Sequence, residues 1–118
     1  MEGKRNVRVA ELLKQILSET ISREMRDPSI HLVTITTVKI TDDLRDAKVY
    51  FSKMGSPQER KAALDGLNRA KNFLRSAIAQ KAGLRVVPSL MFIYDDTLDY
   101  AANIDQLLRQ VNRQQSDS

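Results

Sequence analysis

The sequence of 118 residues contains no cysteine and a single histidine, His31. Without cysteine the chain cannot form a disulfide, a thiolate metal site or a thiol nucleophile, and this composition suits a reducing cytoplasm. A lone histidine in a loop lacks the further ligands of a metal site and the partner of a general base. We therefore expect no metal, no cofactor and no catalysis by these side chains.

Glycine and long apolar runs are also scarce. The four glycines lie far apart, at Gly3, Gly55, Gly66 and Gly83, so no glycine-rich loop is available to hold a nucleotide phosphate. The longest apolar run, Leu90–Tyr94, has the length of a strand, whereas roughly 20 residues are needed to cross a bilayer. The N-terminus lacks the apolar core of a signal peptide. The sequence predicts a cytoplasmic protein that has no membrane segment and is not an enzyme.

Aromatic residues make up only 5% of the chain, and tryptophan is absent. Phe51, Phe92 and Tyr94 fall on the core side of predicted strands, and we place Phe73 in the core as well. The sequence therefore offers no platform of exposed rings on which bases could stack. Recognition of a nucleic acid would depend on phosphate contacts and on the shape of the folded molecule.

Acidic side chains are absent between Asp65 and Asp95, although the protein has 15 of them. Residues 57–88 carry seven basic and two acidic side chains, so the net charge of +4 understates a local surplus. A positive surplus of this kind attracts phosphate groups. We take the five basic residues of the acid-free stretch as candidate phosphate contacts: Arg69, Lys71, Arg75, Lys81 and Arg85.

Three further basic residues, Lys4, Arg5 and Arg8, stand at the start of the first predicted helix. The spacing of apolar residues predicts this helix over about residues 6–25, with Asn6 as its N-cap. Positive charge is unfavourable at a helix N-terminus, so local stability does not account for these three side chains. We interpret them as additional contacts to the same ligand.

A β-hairpin is predicted to follow the first helix. Residues 32–41 are rich in β-branched side chains, and the apolar positions before and after Thr36 and Thr37 have opposite parity. A β-bulge at this point would bring them to one face. Residues 47–52 alternate between apolar and polar side chains and form the second, antiparallel strand.

A broken helix is predicted next. Ser56 and Glu59 have the spacing of a capping box and mark its start, and Gly83 is suited to its end. In a straight helix Lys71 would lie inside the apolar face, so we expect a kink within residues 70–72.

A buried third strand at Leu90–Tyr94 and a short amphipathic C-terminal helix complete the chain. This order of elements predicts an α+β fold with helices packed on a sheet. We expect one domain over residues 1–112, followed by a flexible polar tail over residues 113–118.

Eight segments of the chain, taken in order and at their spacing, carry a family resemblance. They are Arg8–Leu13, Met25–Pro28, Val33–Thr36, Val38–Leu44, Ala47–Phe51, Leu67–Arg75, Leu84–Pro88 and Phe92–Asp96. Together they resemble the bacterial ribosome-binding factor A family, also called the 30S ribosome-binding factor, over nearly the whole chain.

That resemblance implies a type II KH-like fold with a three-stranded sheet. In this family a helix, kink, helix element built around Ala-x-Gly replaces the Gly-x-x-Gly loop of other KH domains. Here the element falls on Ala70, Lys71 and Asn72, with asparagine in place of the family's glycine. Asparagine is among the residues that best tolerate unusual backbone angles.

The resemblance also implies a function. It predicts a non-enzymatic maturation factor that binds the free small (30S) ribosomal subunit and its 16S rRNA late in assembly. Such a factor assists processing of the 5′ end of precursor small-subunit rRNA and supports growth in the cold. Assembly GTPases are further candidate partners, and we expect a monomer. The residues alone leave one alternative open, a basic protein-interaction module that docks on an acidic protein.

Overall fold

The computed structural model describes the backbone of residues 2–116 and the side chains of residues 5–97 and 103–111. A short 3₁₀ helix, Pro28–Ile30, follows the first α-helix. Over the described residues the remaining elements are, in chain order, α1 (Glu2–Glu24), β1 (Thr34–Ile40), β2 (Asp46–Ser52), α2 (Pro57–Arg69), α3 (Lys71–Ala82), β3 (Ser89–Tyr94) and α4 (Thr97–Ser116). The predicted α+β fold is confirmed.

The sheet has the strand order β1-β2-β3. β1 and β2 are antiparallel, and β3 runs parallel to β2. The pairing of β1 with β2 shifts between Ile35 and Thr37, which confirms the predicted bulge. Because of this shift, Ile35 and Val38 are both buried on the same face of the sheet.

The first helix starts earlier than predicted. α1 begins at Glu2, so the prediction of Asn6 as its N-cap is wrong. The Asn6 side chain donates instead to the Asp42 carboxylate at 2.7 Å, in the turn between β1 and β2. A tertiary partner here replaces the local capping role that the residue type suggests.

The predicted start, break and end of the α2 and α3 region are confirmed. Ser56 Oγ accepts from the backbone N–H of Glu59 at 3.2 Å, and Gly83 ends α3 with φ 64°. The break lies at Ala70, with φ −84° and ψ 0°. Asn72 belongs to the first turn of α3 and is not among the residues with positive φ, so the kink does not use its tolerance of unusual angles.

Hydrogen bonds reach Ala70 from both sides of the break. The Ala70 N–H donates to the Gly66 carbonyl at 3.0 Å, and the Leu74 N–H donates to the Ala70 carbonyl at 2.9 Å. A Cβ atom at Gly66 would come within 3.0 Å of Ser29 and Ile30. Glycine at this position therefore lets α2 pack closely against the 3₁₀ helix.

The core lies between one face of the sheet and helices α1, α2 and α3. Its fully buried side chains include Leu13, Leu17, Val49, Phe51, Leu67, Leu74 and Ile78. No helix packs on the opposite face in the part of the chain that the structure describes, and Met91 of β3 is 57% exposed there. The predicted burial of β3 holds for one face only, where Leu90 and Phe92 lie, because an apolar run does not show whether a second layer covers the other face.

The C-terminal helix α4 makes little contact with the other elements. The radius of gyration of the Cα atoms is 17.8 Å, whereas about 13 to 14 Å is expected of a compact chain of this length. The α4 backbone is helical through residue 116, and residues 117 and 118 lie outside the described residues. The division into a domain of residues 1–112 and a tail of residues 113–118 stays a prediction. No helix in the described part is long and apolar enough to cross a membrane.

Asp95 connects the bulge of β1 to the start of α4. Thr36 Oγ1 donates to the Asp95 carboxylate at 2.6 Å, and the Thr97 N–H donates to the other carboxylate oxygen at 3.0 Å. The Thr36 hydroxyl, and after it the hydroxyl and N–H of Thr97, hold the pKa of Asp95 below its ordinary value. This network therefore favours the ionised form of Asp95.

We expect Thr36→Val to lower the free energy of unfolding at pH 7 by about 1.5 to 3 kcal/mol, because it removes a hydrogen bond to a charged group. The depressed pKa of Asp95 stabilises the fold above the unfolded pKa of about 3.9, and this contribution is lost as the pH falls through the folded value. The deficit of the variant should therefore shrink as the pH falls below the unfolded pKa. Urea denaturation at pH 7 and below the unfolded pKa measures the difference in unfolding free energy between the variant and the parent. The exposed neighbour Thr37→Val is the control. A deficit that does not change with pH would contradict the assignment.

Candidate nucleic-acid interface

Arg69 lies at the end of α2 and contacts the segment that follows α1. Its guanidinium is 3.1 Å from the Asp27 carboxylate and 3.4 Å from Ser29 Oγ. Hydrogen bonds from the Ser29 hydroxyl and N–H, and then from Arg69, hold the pKa of Asp27 below its ordinary value. The Arg69 side chain remains 63% exposed, and exposed ion pairs contribute little to stability. Arg69 can therefore exchange this partner for a phosphate at small cost.

Arg75 has a structural role. Its Nε and Nη2 atoms donate to the carbonyl oxygens of Pro88 and Val87, each at 3.2 Å. These bonds attach α3 to the residues that lead into β3. Lys81 is also paired, with its Nζ atom 3.5 Å from the Glu24 carboxylate, and this contact connects α3 to α1.

Lys71 and Arg85 remain available to a ligand. Lys71 is the first residue of α3 and is half-buried, and Arg85 is exposed in the loop that leads into β3. Neither side chain has a hydrogen bond or ion pair with the residues that the structure describes. A cation that has no partner within the protein can contact an external anion without breaking an existing interaction.

The basic residues of α1 lie apart from Arg69. Lys4 lies outside the described side chains, whereas Arg5 and Arg8 are exposed. The Asn6 contact places the start of α1 beside the turn between β1 and β2, and the Ser89 N–H donates to the Arg45 carbonyl at 2.8 Å, at the same end of the sheet. Arg5 and Arg8 therefore lie at the end of the sheet where Arg85 approaches β3. Arg69 pairs with Asp27, beyond the opposite end of α1.

Two exposed apolar side chains lie near the available cations in the sequence. Phe73 in α3 is 49% exposed, so its predicted place in the core is wrong, and Val86 next to Arg85 is 56% exposed. The apolar stripe of α3 is complete without Phe73, since Leu74, Ala77 and Ile78 fill it. That redundancy is the signal in the sequence that could have identified the exposed ring.

The exposed residues described above therefore present cations and apolar side chains to a ligand. Within residues 5–97 and 103–111, no group of three or more histidines or acidic residues could hold a metal ion. The chemistry present at the surface is that of binding: positive charge for phosphates and an exposed ring for a base or an apolar side chain.

Comparison with known proteins adds the decisive observation. A family model described as ribosome-binding factor A matches residues 5–108. The chain belongs to the ribosome-binding factor A family. The ribosome-binding factor A of Desulfitobacterium hafniense is 44% identical over 115 residues, which cover 98% of this chain and 92% of that protein. The protein of the same name from Macrococcus caseolyticus is 41% identical over 109 residues, 92% of this chain and 96% of its own length.

Solved structures of this family share the fold. The crystal structure of ribosome-binding factor A from Thermus thermophilus has a TM-score of 0.68 at 28% identity and covers 75% of this chain and 94% of its own. A homology model of the same protein, fitted into a cryo-electron microscopy map of a 30S complex, has a TM-score of 0.62 at 28% identity. It covers 73% of this chain and 90% of that one. The type II KH-like arrangement expected from the sequence is confirmed.

Proposed function

We propose that this protein binds the free small (30S) ribosomal subunit through its 16S rRNA late in assembly. The observation that carries the proposal is the family match over residues 5–108, together with a structural neighbour that was fitted into a map of a 30S complex. The local surplus of positive charge in residues 57–88 supports it, because phosphate groups dominate the affinity of proteins for nucleic acids.

Within that proposal the protein acts by occupying a site on immature rRNA. It stabilises one local conformation of the RNA and assists processing of the 5′ end of the precursor, without catalysing a reaction itself. Its place is the cytoplasm, it works as a monomer, and it supports growth in the cold. Assembly GTPases are the candidate factors that act beside it.

We propose that the contacting surface is built around Lys71 and Arg85. Both lack a partner among the described residues, and the exposed apolar side chains of Phe73 and Val86 lie close to them in the sequence. Arg69 adds a cation that can exchange its ion pair. Arg5 and Arg8 extend the positive surface at the end of the sheet from which β3 starts, and Lys4 is proposed with them. Arg75 and Lys81 are proposed with them, because the ion pair of Lys81 is also exposed, and Arg75 in addition attaches α3 to the residues before β3.

Cosedimentation tests the proposal. Purified protein is centrifuged with isolated 30S subunits, 50S subunits and 70S ribosomes at 50 and 200 mM salt. We expect binding to 30S subunits alone, which weakens steeply at the higher salt because counterions compete for the phosphates. Equal binding to all three particles would contradict a specific site on the free small subunit. Binding to 30S subunits that does not respond to salt would favour the alternative of a protein partner.

A further inference from the structure

The uncovered face of the sheet combines positive charge with apolar surface. Lys39 of β1 lies directly opposite Lys48 of β2, and Lys48 lies beside Met91 of β3. Lys39 Nζ is 5.4 Å from the centre of the Tyr50 ring. Ile93 lies beside Tyr50 and is half-buried on this face. We call this surface the open face.

Two lysines at directly opposed positions repel each other and destabilise a pair of strands. Neither Lys39 nor Lys48 has an ion pair among the described residues. The open face would therefore be stabilised by a partner that brings apolar side chains and a negative charge.

Helix α4 carries a surface with these properties. Ile104, Leu107, Leu108 and Val111 follow the spacing of one helical face. In this structure α4 extends away from the sheet and makes little contact with it, which we call the extended arrangement. All four side chains are exposed there, Leu107 by 60% and Leu108 by 57%. We call them the α4 stripe, and Asp105 borders it. A helix with an uncovered apolar stripe of this kind gains stability by burying it.

The connection between β3 and α4 places the helix at one end of the open face. A cavity of about 360 Å³ at that end is lined by Lys39, Tyr50, Ile93, Asp96 and Thr97, among others. Thr97 is the first residue of α4, so the helix already begins beside the open face. The hydrogen bonds of Asp95 to β1 and to Thr97 fix this starting point.

The lengths of strand and helix agree with a folded-back arrangement. From Asp95 back to Met91 the strand covers about 13 Å, at about 3.3 Å per residue. From Thr97 to Leu107 the helix covers about 15 Å, at 1.5 Å per residue. A helix that runs antiparallel to β3 would therefore bring the α4 stripe over Met91 and set Asp105 close to the two lysines.

We propose that α4 docks through its stripe on the open face of its own sheet, which gives the protein a closed form in addition to the extended one. The short connection favours this occupant over a second copy of the chain, because a tether of this length raises the local concentration of the stripe to about the millimolar range. In the closed form Lys39, Lys48 and Met91 are covered by α4. The proposal does not depend on ribosome binding.

Engineered disulfides test the closed form, and the absence of natural cysteine leaves no competing thiol. One variant combines Met91→Cys with Leu107→Cys. The matched control combines Met91→Cys with Gln106→Cys, which lies at the same height on the polar side of α4. Under mild oxidation we expect the first pair to form a disulfide within one chain roughly tenfold faster than the control. All three positions are exposed, so the substitutions leave the core intact.

A second measurement compares the parent chain with Leu107→Gln/Leu108→Gln, neither of which contains cysteine. Acylation of Lys39 and Lys48, followed by mass spectrometry, should become several times faster in Leu107→Gln/Leu108→Gln, while the exposed Lys61 of α2 reacts as before. Three disulfide results would overturn the proposal: equal rates for both pairs, a disulfide between two chains, or no disulfide in either variant. Unchanged reactivity of the two lysines would overturn it as well.

Discussion

Replacing both Lys71 and Arg85 by glutamine should weaken binding to 30S subunits by roughly 25- to 60-fold in 0.1 M salt. The magnitude follows from counterion release, in which each phosphate contact contributes about 0.7 to 0.9 to the slope of log affinity against log salt. The double variant should therefore lower that slope by about 1.4 to 1.8. Its thermal melting temperature should stay near that of the parent, because neither side chain has a partner among the described residues.

Filter binding or cosedimentation over a series of salt concentrations measures both quantities. The matched control is Arg23→Gln/Arg109→Gln, which removes the same amount of charge from exposed positions on α1 and α4. We expect the control to keep most of the affinity. A double variant that binds more weakly but keeps the slope of the parent would show that these two side chains do not contact phosphates. A control that loses as much affinity would show that only the net charge matters.

Arg75→Met should lower the free energy of unfolding by about 2 to 3 kcal/mol. The substitution keeps most of the length of the side chain but removes both hydrogen bonds to the carbonyl oxygens of Val87 and Pro88. Pro88 is among the most buried residues of the protein, so its carbonyl has poor access to water as a replacement donor. A loss of this size corresponds to a decrease of about 10 °C in melting temperature.

Differential scanning calorimetry or thermal circular dichroism measures the effect. Arg85→Met is the matched control, because it makes the same chemical change at an exposed arginine that has no partner among the described residues. We expect the control to melt within about 2 °C of the parent. Equal melting temperatures for the two variants would mean that Arg75 does not support the loop before β3.

Features that depend on neighbouring residues could be predicted from the sequence. The capping box at Ser56 and the left-handed Gly83 follow from backbone requirements that few residue types satisfy. The bulge between Ile35 and Thr37 follows from the change of apolar parity, and the break at Ala70 follows from the position of Lys71. In each case the residues that determine the feature lie close together in the sequence.

Features that depend on distant residues could not be predicted in this way. Asn6 has the residue type of a cap, but its partner Asp42 comes from the β1–β2 turn. Arg75 has the charge of a phosphate contact, but it binds carbonyl oxygens of the backbone, which leave no mark in the sequence. The apolar run of β3 shows that it belongs in a sheet, but it does not show whether a helix covers the second face of that sheet.

The family resemblance supplied what residue chemistry did not. Charge and the absence of catalytic groups indicated a nucleic-acid or protein-binding domain. The order and spacing of segments such as Leu67–Arg75 identified the family, and the match over residues 5–108 confirmed it. The individual contacts to rRNA stay predictions until the variants of Lys71 and Arg85 are measured.

The buried residues on both sides of the break at Ala70 have a consequence for the speed of binding. Leu67 on one side of Ala70 and Leu74 on the other are both fully buried, so the core holds α2 and α3 on either side of the break. Close packing at Gly66 fixes α2 against the 3₁₀ helix as well. The surface around Lys71 is therefore preorganised, and association with RNA requires no prior ordering of this element. Encounter with the subunit is then governed by diffusion and electrostatic steering, which makes the association rate, like the affinity, sensitive to ionic strength.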